Sequence, residues 1–61
     1  MIGNMEENIK NLIGEYIKDS TDENRKKLLN ETWQFLTKEY DRNNMSHVVL
    51  ITCVHSTLTQ N

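Results

Sequence analysis

Cys53, His47 and His55 are the conventional reactive side chains of this chain, and their spacing is poor for chemistry. A metal centre needs convergent ligands, such as two histidines four apart on a helix or paired cysteines. Here the histidines lie eight apart, and Cys53 is two residues before His55. On a helix Cys53 and His55 diverge, and on a strand the histidines would stand roughly 26 Å apart. Nucleophilic catalysis by Cys53 would need a base that is itself oriented by a third group, and nothing in the sequence marks one. The favoured reading makes Cys53 a small buried apolar residue and the histidines partly exposed segment ends.

The charged clusters point the same way. Glu6-Glu7 and Asp22-Glu23 fall at helix starts, where carboxylates complement the helix dipole without any acid–base role. Gly3 and Gly14 are the only glycines, so a glycine-rich phosphate loop is excluded. Arg25-Lys26-Lys27 is the one basic cluster, flanked by Asp22, Glu23 and Glu31. A solvated helical face accounts for it better than a nucleic-acid patch. Seven basic against nine acidic residues give a net charge of −2, which disfavours binding through phosphate electrostatics.

Two helices must position these groups. Asn4 followed by Glu7 resembles a capping box. Met5, Ile9, Leu12, Ile13, Tyr16 and Ile17 then recur at helical steps, predicting a helix from about Met5 to about Lys18. Glu6 is placed to pair with Lys10, and Gly14 lies opposite the apolar stripe. Ser20 with Glu23 forms a second capping box, predicting a helix to about Asp41, where Asn43-Asn44 would allow a left-handed ending. Asp22–Lys26 and Glu23–Lys27 are candidate ion pairs on its solvent side. The short connection between the helices favours antiparallel neighbours.

The segment from Ser46 to Leu58 is β-branched and reads two ways. As a strand it places His47, Val49, Ile51, Cys53 and His55 on one face and would need a partner strand from another subunit. As a helix capped by Ser46 it places Val48, Ile51, Thr52, His55 and Leu58 on one side. The helix is preferred because it closes the hairpin into a bundle within one chain. The expected fold is therefore all-α, a single domain over 1–61: a helical hairpin plus a C-terminal third helix, associating into an oligomer. The alternative is two helices with a C-terminal strand pairing between subunits.

Size sharpens that expectation. A chain of 61 residues buries only about 60% of its unfolded surface. One cysteine rules out an intrachain disulfide, so association is the leading source of extra stability. The absence of an apolar run near 20 residues excludes a membrane-spanning helix. No signal peptide is seen, and the unpaired cysteine agrees with a cytoplasmic, reducing location. Asparagine-rich, lysine-rich composition suggests coding by a phage, a plasmid or a low-GC bacterium.

The strongest functional clue is the width of the second helix's apolar face. Leu28 and Phe35 lie on one margin, Trp33 and Tyr40 on the other, which is more than one neighbouring helix covers. The expected function is a non-enzymatic interaction module, an inhibitor or adaptor without a cofactor or metal, that occludes a protein partner. Its candidate interface is Leu29, Trp33, Leu36, Tyr40, Val48 and Ile51, with large aromatics as anchors. The alternative is a small dimeric DNA-associated regulator contacting nucleic acid through Arg25, Lys26 and Lys27.

Overall fold

The computed structural model describes residues 4–60; Gly3 lies outside them. Three helices follow in order, α1 (Met5–Lys18), α2 (Asp22–Lys38) and α3 (Met45–Thr59), with no strand among the described residues. The C-terminal segment is thus helical despite its β-branched composition, since burial of an apolar face outweighs propensity differences of tenths of a kcal/mol per residue.

Each helix begins on a side-chain cap, though not always the expected one. The Glu7 amide N–H donates to Asn4 Oδ1 at 2.7 Å, as the spacing of those residues predicts. For α2 the cap is Thr21 rather than Ser20: Thr21 Oγ1 accepts from the Asn24 amide at 3.2 Å. Ser20 instead donates its hydroxyl back to the Tyr16 carbonyl at 2.8 Å, closing the end of α1. For α3 the cap is Asn44 rather than Ser46, with Asn44 Oδ1 accepting from the Ser46 amide at 3.0 Å.

The end of α2 also falls earlier than expected, at Lys38 instead of Asp41. The amides of Glu39 and Tyr40 both donate to the Phe35 carbonyl at 2.9 Å, which ends the regular ladder and turns Tyr40 back over Phe35. Their rings meet edge to face with centroids 6.1 Å apart. No non-glycine residue among those described has positive φ, so the left-handed ending expected at Asn43-Asn44 does not form. Asp41 turns the chain instead, its carboxylate accepting from the Asn43 amide at 2.9 Å, the local side-chain bond typical of turns.

Packing follows an up–down–up course. The three-residue link Asp19–Thr21 reverses α2 against α1. Phe35, near the end of α2, meets His47, near the start of α3, with ring centroids 4.9 Å apart. At the other end Arg25 Nη1 makes a long contact of 3.5 Å to the Leu58 carbonyl. Helices α1 and α3 therefore run in the same direction, both antiparallel to α2. The association of α1 with α2 is the most extensive, and that of α3 with α2 the least.

The core is small: Ile9 from α1, Leu28 and Phe35 from α2, and Leu50 and Val54 from α3, with Leu12, Ile13, Tyr16 and Leu58 among those packed around it. Of the face expected for α3, Ile51 and Leu58 pack on this core, while Thr52 and His55 are exposed. The buried α3 residues are Leu50 and Val54, four apart on the helix.

Thr32 sits in the buried face of α2, between Leu28 and Phe35, and its hydroxyl has no hydrogen-bond partner. Ser20, Thr37, Thr52 and Thr59 all donate to the carbonyl four residues earlier, which Thr32 does not. A buried hydroxyl without a partner is destabilising. Thr32→Val keeps the shape and removes the polar atom, so it should stabilise the fold by about 1 kcal/mol in urea unfolding.

Gly14 is an exposed position within the continuous helix α1. A Cβ built there meets nothing within 4 Å, so only backbone entropy is at stake. Gly14→Ala should therefore add about 1 kcal/mol. For a domain of this size that corresponds to a midpoint roughly 4–8 °C higher in a thermal melt.

Candidate functional site

Among the described residues, two apolar surfaces remain outside the core. The first lies on α2. Leu29, Trp33 and Leu36 follow one another at steps of four and three residues, which aligns them on one side of the helix. They flank the buried line of Leu28, Thr32 and Phe35 and turn outward: Trp33 is 65% exposed, and Leu29 and Leu36 are also exposed. The other three residues expected with them are placed differently. Tyr40 is half-buried and packs on the core through Phe35. Ile51 is half-buried against the core and Val48 is half-buried. The structure thus brings Leu29, Trp33 and Leu36 together as one exposed stripe and draws Tyr40 and Ile51 inward.

The second surface is a groove of about 410 Å³ between α1 and α3. Lys10 and Ile13 form one wall, and Met45, Val49, Leu50 and Cys53 form much of the other. Met45 is 72% exposed and Val49 52%, and Cys53 is exposed rather than buried. Further along, toward the helix C-termini, Ile17 and Thr57 line a second depression between the same helices. None of the residues expected at an interface lines this groove. Met45, Val49 and Cys53 recur at four-residue steps, a signal that was present but obscured by apolar residues all round α3.

His47 has a structural position that its sequence neighbours do not reveal. The Asp41 amide N–H donates to His47 Nδ1 at 3.0 Å. That bond assigns the ring proton to Nε2, which faces Glu6 Oε2 at 3.1 Å. With its ring packed edge-on to Phe35 and its side chain only 13% exposed, His47 ties α1, the α2–α3 link and α3 together. Glu6 therefore bonds across the bundle rather than pairing with Lys10. Cys53 and His55 are both exposed on α3, and no three His, Cys, Asp or Glu side chains among the described residues are grouped to hold a metal.

The basic cluster is dispersed. Successive residues on a helix point about 100° apart. Lys27 lies 3.8 Å from Glu23 in a surface pair, and Arg25 reaches toward α3. Asp22 and Lys26 form no ion pair by comparison. No described helix is long and apolar enough to cross a membrane. No protein-family model, curated protein or solved structure matches this chain.

Proposed function

We propose that the protein is a small interaction module that binds a protein partner through the outer side of α2 and acts, as an inhibitor or adaptor, by covering part of that partner. The observation that carries this reading is the stripe Leu29–Trp33–Leu36, in which an exposed tryptophan is flanked by two exposed leucines on a rigid helix. Scattered exposed apolar residues are ordinary, whereas aligned ones centred on Trp match the way a helix enters a hydrophobic groove. Trp is also the residue type most often found carrying interface energy. The helix is held by its Thr21 cap and by Leu28 and Phe35 behind it, so its outer side is organised before any partner arrives. Such preorganisation lowers the entropic cost of binding.

The mechanism needs no reacting group of this chain. Occupying a groove excludes whatever the partner would otherwise bind there. The test is affinity capture from cells of the source organism with the wild-type chain and with Trp33→Ala side by side. A protein retained by the first, lost by the second and insensitive to moderate salt supports the reading. Capture that is indifferent to Trp33 sinks it. Retardation of duplex DNA that falls steeply with salt and depends on Arg25, Lys26 and Lys27 would favour the DNA-associated alternative.

A further inference from the structure

Helix α3 contains no Asp, Glu, Lys or Arg over its fifteen residues. Its apolar residues are spread around the whole circumference, the pattern of a helix that is buried on all sides. In the single chain it is not. Leu50 and Val54 face the core, while Met45, Val49 and Cys53 line the open groove beside α1. From these observations we infer that the α1/α3 face is the site of self-association, closed by the same face of a second copy in a two-fold dimer.

Charge selects this occupant. A foreign surface carrying charges would strand them, desolvated, against an uncharged helix. An identical α3 brings none. Among the described residues lining the groove Lys10 is the one cation, and it is exposed, so its ammonium can stay in water at the rim. The available area is also suitable. A standard interface covers about 800 Å² on each partner, comparable with one broad side of a particle measuring 31 × 26 × 16 Å. This face is distinct from the α2 stripe, so the dimer and the proposed partner site stand or fall separately.

Sedimentation equilibrium at about 100 μM, a concentration at which even a modest affinity populates the complex, tests the inference. Wild-type protein should sediment at twice its 7.2 kDa chain mass. Val49→Lys adds an ammonium beside Lys10 at a half-exposed position and should weaken the dimer at least about a hundredfold, leaving a monomer of unchanged helical circular dichroism. Leu36→Lys, on α2, should leave the dimer intact. Should Val49→Lys fail to fold, Met45→Glu decides instead, because that position is 72% exposed and a carboxylate suits the first helical turn. Cys53 supplies an independent reading: its alkylation should slow as the dimer forms. A wild-type monomer, a dimer that survives the α3 substitutions in folded protein, a dimer lost through Leu36→Lys, or a thiol equally reactive in both states would each overturn the inference.

Discussion

Replacing Phe35 by alanine is expected to cost about 3–5 kcal/mol and to leave little folded protein at 25 °C. Phe35 is the largest fully buried side chain, and it joins the core of all three helices. It also supports the edge-to-face contacts with Tyr40 and His47 that hold the α2–α3 link. Truncation would remove the transfer energy of the ring and open a cavity among Ile9, Leu28, Leu50 and Val54. A domain of this length commands only about 3–9 kcal/mol in total, so one such loss consumes most of it. Thermal unfolding followed by circular dichroism at 222 nm checks the result. A cooperative melt within a few degrees of wild type would mean that Phe35 is not the keystone of this core.

Trp33→Ala should do the reverse. With 65% of its surface exposed, Trp33 has little buried area to lose, so the unfolding free energy should move by less than about 1 kcal/mol. Binding to the proposed partner should fall by roughly thirtyfold or more, the effect of losing an aromatic anchor worth about 2 kcal/mol. Titration calorimetry against the captured partner and urea unfolding of the free protein together separate the two effects. A large stability loss with unchanged affinity would place Trp33 in a structural role. These variants sit two residues apart on one helix, yet a turn of about 200° separates core from surface.

The helix starts illustrate how far local signals reach. Asn4 with Glu7 is a cap because the geometry involves four consecutive residues and nothing else. At α2 the neighbouring hydroxyls of Ser20 and Thr21 compete. Local pattern favoured Ser20, but that side chain is engaged by the Tyr16 carbonyl, an interaction available only once α1 exists. At α3 the choice between Ser46 and Asn44 is settled by the turn that Asp41 makes, which brings the chain into the helix two residues earlier.

The candidate surfaces were legible in part. Leu29, Trp33 and Leu36 could be recognised as one margin of an overly wide apolar face, because periodicity alone places them. Whether that margin or the opposite one would be covered could not be read, since it depends on which side α1 occupies. Tyr40 belongs to the same margin by periodicity but leaves it because α2 ends before it. The groove along Met45, Val49 and Cys53 was hidden by a helix whose apolar residues do not form a single stripe, so no face could be assigned as inward.

The opening residues, Cys53, His47 and His55, show the division. Local pattern determined that α1 and α2 form, roughly where α1 begins and ends, and that no single element gathers these side chains into a reactive group, whereas the helical state of the β-branched third segment rests on burial of its apolar face. The local outcomes depend on caps, propensity and periodicity, which act over a few neighbouring residues. Tertiary structure decided that His47 is half-buried, with Nδ1 accepting a hydrogen bond from the Asp41 amide and Nε2 facing Glu6, while Cys53, six residues on, lies open in a groove. The cause is the close approach of Glu6 and Phe35 to His47, from positions 41 and 12 residues away in the chain. Contacts between residues so distant in the chain are written in no local pattern, and they arise only when the three helices choose their neighbours.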